Sequence, residues 1–137
     1  MNEDRRTLVR GWLLKASHDL AAARLLARQE PPLRDVAAYH CQQAAEKALM
    51  GFLANFDQTP VKTHDVGLLV EKAMEIEPVF GTWTDAADRL TPLATAYRYP
   101  GDADQPEAED VDEALDDAET ILRQVRAFLP REVHPEA

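Results

Sequence analysis

Cysteine occurs once, at Cys41, so the chain cannot form an internal disulfide, and that usage suits a reducing cytoplasm. No apolar run approaches the roughly 18–20 residues a membrane span requires, and the N-terminus has no apolar signal core. A soluble, cytoplasmic protein that avoids membranes is therefore expected. The five glycines stand alone at 11, 51, 67, 81 and 101, which excludes a glycine-rich phosphate loop. HExxH is absent, no Glu lies three residues before a His, and one Cys cannot build a usual zinc site. Neither a metal nor a cofactor is expected. Cys41 follows His40, but consecutive helix residues do not face each other, so a buried, inert thiol is expected. Sustained alternation of β-branched or aromatic residues with polar ones is also missing, which removes the strand signal.

What is present is charge and helical periodicity. The chain of 137 residues carries a formal charge of −10, unevenly spread. Residues 1–65 hold nine Lys/Arg against eight Asp/Glu, whereas 66–137 hold six against seventeen. Such a surface repels phosphate backbones and argues against broad nucleic-acid binding, leaving room for a local basic cleft in the first half. Length and a hydrophobic content of 45% suit one domain with one core, at about 8–129, followed by a frayed tail at 130–137.

Five helices are expected. The first covers about 4–29, with an apolar stripe of Val9, Leu13, Ala16, Leu20, Ala23 and Ala27, and ends at Pro31-Pro32. The second covers about 35–56, with Asp35 as N-cap and a small-residue stripe of Ala37, Cys41, Ala44, Ala48 and Phe52. A short third helix, about 65–77, is capped by Thr63 or Asp65 and stopped by Pro78. The fourth starts near Thr82 or Thr84 and runs through Leu90, Ala94 and Tyr97, with a kink at Pro92. The fifth spans about 106–129, with Pro106 in its first turn and a seam of Val111, Leu115, Ala118, Leu122, Val125 and Leu129. The fold class is thus all-α: an antiparallel up-and-down bundle of four main helices plus one short one.

Three polar clusters interrupt this pattern. In "YHCQQAAEKALMGFL", His40, Gln43 and Lys47 share one helical face, and Tyr39, Gln42 and Glu46 an adjacent one. These are either the rim between core and solvent or contacts to a ligand. In "KTHD", Thr63 or Asp65 suits capping, while His64 packs on the second helix or meets an anion. In "YRYP", Arg98 between Tyr97 and Tyr99 can pair with phosphate and stack on aromatics, or hold its own loop through terminal carbonyls.

In this order and on these helices, the clusters resemble the HEPN domain family (higher eukaryotes and prokaryotes nucleotide-binding). The resemblance begins with "LLKASHDLAAARLL", continues through "AAYHCQQAAEKALMGFL" and "KTHDVGLL", and ends with "LATAYRYPG" and the Ala/Leu-patterned last helix. It spans roughly 8–129. It implies a four- to five-helix fold and a homodimer with the functional cleft between protomers. It also implies a possible nucleotidyltransferase partner, because members are often encoded beside one as toxin–antitoxin pairs. Several members are metal-independent ribonucleases that carry an Arg, four to six residues, then a His.

Arg98 matches that Arg, but the matching positions hold Ala103, Asp104 and Gln105. The nearest downstream His is His134. An ionised Asp104 would repel the scissile phosphate. The chain thus looks like the "RYP" branch, without the His that ribonuclease chemistry uses. The expected role is a non-catalytic homodimer that binds a nucleotide, a partner nucleotidyltransferase, or both. In it Arg98 and Lys47 would meet phosphate, Tyr97 and Tyr99 would stack on a base, Gln43 would orient it, and His40 and His64 would complete the cleft. Two rivals stand beside it: a divergent ribonuclease toxin using Arg98 with His40 or His64, and a purely structural dimer.

Overall fold

The computed structural model describes residues 2–101 and 105–135. Helix α1 is Glu3–Arg28, α2 Arg34–Asn55, α3 Val66–Ile76, α4 Thr84–Leu90 and α5 Ala108–Ala127. Three 3-10 turns, Pro78–Trp83, Thr91–Ala94 and Arg131–Val133, complete the order. The fold is all-α, with four longer helices and one short one.

Helix α1 starts where Asn2 accepts the Arg5 amide at 2.8 Å, with Glu3 and Asp4 complementing the dipole in the first turn. Its stripe of Val9, Leu13, Ala16, Leu20 and Ala23 is buried. Helix α2 returns antiparallel to it. At Gly51 an added Cβ would lie 3.2 Å from Trp12 Cβ and 3.3 Å from Leu13 Cδ2, so the absent side chain sets how closely the two helices approach. The seam of α5 closes the other side, with Val111, Ala118, Leu122, Val125 and Leu129 buried. At one end, Phe52 and Phe80 stack with centroids 4.5 Å apart, flanked by Phe56, Trp83 and Phe128. Tilted and edge-on ring pairs of this kind add to the area they bury.

Several expectations change. Asp35 is not the N-cap of α2; it lies in the first turn, Leu33 precedes the helix, and Asp35 Oδ1 accepts the Val36 amide at 2.9 Å. Asp65 caps α3 by accepting the Leu68 amide at 3.1 Å, and Thr63 supports it by accepting the Asp65 amide at 3.0 Å. The short helix is the fourth rather than the third. Its α-form ends at Leu90, two residues ahead of the kink expected at Pro92, because Pro92 has no amide to continue the ladder; the chain tightens into the 3-10 turn Thr91–Ala94. Tyr97 is therefore not on a helix and takes a left-handed φ of 63°. Pro106 lies before α5, whose start is a capping box of Glu107 and Asp110.

The tail is not frayed over the described residues. Val133 is fully buried, and the His134 ring N–H is directed at the carbonyls of Arg126 and Leu129, at 2.9 and 3.2 Å. Arg10 donates to the Glu132 carbonyl at 2.9 Å. An apolar residue three positions past Pro130 finds an open place in the core, and the tail follows it.

Candidate functional site

Helix α2 is the centre of the molecule. Thirteen of its 22 residues are buried, on every side, so it has no solvated face along its middle. Gln42, Gln43 and Glu46 are buried with them, at 0, 8 and 9% exposure. A buried polar group needs partners, and each of these has them.

Two polar clusters result. On the α1 side, Asp19 is buried and accepts from His40 Nδ1 at 2.8 Å and from Lys47 Nζ at 2.6 Å. One carboxylate thereby holds two basic residues of α2, two turns apart. On the other side, Gln43 donates to Gln42 at 2.7 Å, and Gln42 donates to the His64 carbonyl at 2.9 Å and to Glu46 Oε1 at 3.2 Å. The His64 ring lies 2.7 Å from the same Glu46 oxygen. This chain of bonds ties the 58–64 loop to α2 through side chains, where no helical backbone ladder could.

The turn after Ala94 brings Arg98 back over α2. Its guanidinium lies 3.8 Å from the centroid of the Tyr39 ring, and its Nη1 reaches the Ala94 carbonyl at 3.5 Å. Two of the contacts open to Arg98 are thus present: it stacks on an aromatic and touches its own turn. A cavity of about 210 Å³ opens beside it, lined by Asp35, Val36, Tyr39, His40, Tyr97 and Arg98. Among the described residues no carboxylate forms an ion pair with Arg98, which keeps its charge available to an incoming anion.

The seven expected site residues therefore divide. Tyr97, Arg98 and His40 share the cavity. Lys47 joins at one remove, through Asp19. Gln43 turns inward to Gln42 and His64 sits across α2 on Glu46, so neither lines that cavity. Tyr99 is 69% exposed and lies outside its lining too. Ala103 and Asp104 are outside the described residues, and Gln105 is exposed. His134, the nearest His after Arg98, is committed to the end of α5.

Sequence reasoning missed Asp19, and it put Tyr39 and Glu46 on a polar face without finding that Tyr39 carries Arg98 and Glu46 holds His64. A signal for Asp19 was present. It falls three residues after Ala16 and next to Leu20, at the edge of the buried stripe, where a carboxylate must find a cation. A further missed pair is Arg89 with Asp117, two parallel bonds of 2.9 Å that join α4 to α5. The Cys41 thiol is inert as expected: burial, with the negative charge of Asp117 second, pushes it up to about 12.

These features define an all-helical domain with a cationic turn folded over a polar central helix. The HEPN domain profile matches residues 9–128, and the chain belongs to that family. It is similar to TT1696 from Thermus thermophilus, at 29% identity and a TM-score of 0.77, over 88% of this chain and 98% of that one. It is also similar to ST0689, an archaeal HEPN homologue, at 26% identity and a TM-score of 0.68, over 87% of this chain and 95% of the other. No curated protein matches the chain significantly.

Proposed function

We propose that the protein is a non-catalytic HEPN domain that works as a homodimer, binds the phosphate of a nucleotide with Arg98, and partners a nucleotidyltransferase in a toxin–antitoxin-like module. The observation that carries the nucleotide reading is Arg98 itself. Its guanidinium is held over the Tyr39 ring at the mouth of a cavity and lacks an ion-pair partner among the described residues. A guanidinium oriented in this way presents its N–H fork to an anion with little further loss of freedom. Lys47 contributes positive charge, but Asp19 already offsets it. Asp35, on the cavity wall, disfavours highly charged phosphates and points to a monophosphate rather than a triphosphate.

Isothermal titration with AMP and ATP tests this. Heat with AMP is expected, weakened about tenfold or more in Arg98→Ala, since charge-assisted bonds of this type are worth about 1.5–3 kcal/mol. Light scattering should give a dimer, and a pull-down from the native cell should recover a nucleotidyltransferase. No heat with either nucleotide and no such partner would leave the structural dimer as the better reading.

One observation favours a second reading. His40 shares the cavity with Arg98, and Asp19 holds its Nδ1. That orients an imidazole whose Nε2 could move a proton while Arg98 steadies phosphate charge. Metal-free RNA cleavage lost in both His40→Ala and Arg98→Ala would establish a divergent ribonuclease. Intact RNA after long incubation would exclude it.

A further inference from the structure

The side of α1 that faces away from the core is largely apolar. Gly11, Leu14, His18, Ala21 and Leu25 step along it by three and four, so they form one exposed stripe. Leu14 is 41% and Leu25 71% exposed. Gly11 lies inside the helix, where glycine costs stability relative to alanine, yet a Cβ added there would meet nothing within 4 Å. No described residue makes use of that missing side chain. At Gly51 the same absence lets α1 and α2 approach; at Gly11 it leaves room for a surface from outside the fold.

Charge selects what covers the stripe. Between Arg5 and Gln29 the one acid is Asp19, which is buried. Arg5, Arg6 and Arg24 are already paired within the chain, with Asp57, Glu132 and Glu119. The exposed side of α5 is the opposite case. There Glu109, Asp112, Glu113 and Asp116 would face their like across a two-fold axis, which disfavours self-contact. Glu3 and Asp4 stand at the start of α1 and Arg28 at its end. Laid antiparallel, two copies of α1 bring opposite charges together at both ends; laid parallel, they bring like charges together.

We propose that this stripe docks, antiparallel, on the same stripe of a second copy of the chain, with the two-fold axis at His18. Gly11 and Leu25 lie seven residues either side of His18, so Leu25 falls on the partner subunit's Gly11. By the same symmetry Leu14 falls beside the partner subunit's Ala21. Each large side chain thereby meets a small residue. None of the five stripe residues lines the Arg98 cavity, so each copy keeps its own cavity instead of sharing one between protomers.

This inference rests on the homodimer of the proposed function and names the face that forms it. Light scattering reads the dimer, and a cysteine on the axis reads the face. Cys41→Ala gives a background without cysteine, because the chain has one. In it, His18→Cys should cross-link to its own copy under mild oxidation, since a residue on the axis lies within disulfide reach of itself; Asp112→Cys on α5 should not. Leu25→Glu should weaken the dimer about a hundredfold or more, because symmetry buries the charge twice. A thermal melt confirms that each variant is folded. Gly11→Ala should raise the melting temperature in the Leu25→Glu background, yet weaken the dimer about tenfold in otherwise unchanged protein. An unchanged dimer affinity in Gly11→Ala overturns its pairing with Leu25. A monomer at every concentration overturns the homodimer and this inference with it. A dimer that survives Leu25→Glu, or that His18→Cys fails to cross-link, overturns the α1 face and leaves the homodimer standing.

Discussion

Tyr97 carries a backbone conformation that a bulky side chain adopts at a cost. A left-handed φ brings Cβ against the following carbonyl, roughly 1–2 kcal/mol for a residue other than glycine. That turn is what points Arg98 back at Tyr39, so the strain and the cation's position have one cause. Comparing two truncations isolates the backbone term, because both remove the ring. Tyr97→Gly should be more stable than Tyr97→Ala by about 1 kcal/mol in urea melts. Cys41 provides a second test at this scale. Its thiol should resist iodoacetamide at pH 8 until denaturant opens the core. Below about pH 9 the thiol is neutral in both states and adds no pH dependence. Above that, the unfolded thiol ionises while the folded one stays protonated up to about 12, so stability should fall as pH rises through this window. Cys41→Ala should lack that part of the fall, as equilibrium unfolding across the window will show.

Helix α2 combines two requirements that usually conflict. Its small residues let α1, α3 and α5 approach, while its amides and carboxylate demand partners inside the same contacts. Gly51 shows the first requirement. Alanine there would gain about 1 kcal/mol of helix propensity, but its Cβ would press on Trp12 Cβ, which is anchored to the α1 backbone and cannot swing away. Gly51→Ala should therefore be destabilising by about 1 kcal/mol net, since overpacking costs roughly 1–3. A higher melting temperature in that variant would show that the helices separate without loss. Gln42 shows the second requirement. Gln42→Leu keeps the volume but strands the His64 carbonyl and the Gln43 amide, with an expected loss of about 2–3 kcal/mol in denaturant titration. A loss below about 0.5 kcal/mol would mean that water replaces the network.

Over the whole molecule, most of the apolar design could be followed from one end of the chain to the other. Among the side-chain ion pairs of the described residues, Arg89–Asp117 is the bidentate one, and it fixes α4 against α5. Asp117 is 9% exposed, whereas the Arg89 side chain is 46% exposed, so solvent screens part of the attraction. Arg89→Met should cost about 2 kcal/mol, below the roughly 3–5 of a fully buried pair, because it leaves Asp117 unpaired. Replacing Asp117 by Leu as well should recover part of that loss, measured as a double-mutant cycle.

The stripes of α1, α2 and α5 were legible because helical periodicity is a local property: Val9 to Ala23 and Val111 to Leu129 face inward by spacing alone. Punctuation was less so. Pro92 announced a break, but whether the chain would bend and continue or stop at Leu90 depended on what packs beside it. The tail read as polar and loose, since nothing near Val133 in sequence says that a place in the core awaits it. The candidate site was legible as residue types and scattered as geometry. His40, Tyr97 and Arg98 do meet, but Gln43 and His64 belong to a different network.

An all-helical chain, the faces its helices bury, the family it belongs to, and the absence of a His four to six residues beyond Arg98 could all be read from the amino-acid order. These follow from local spacing and residue identity. The partners of the polar residues came from the packing of the helices. A helix wheel assigns His40, Gln43 and Lys47 to one face, but cannot say that Asp19 comes from α1 to hold two of them, or that the third turns to Gln42. Hydrogen bonds and charges depend on distance in space, and for α2 every such distance is set by other helices packing around it.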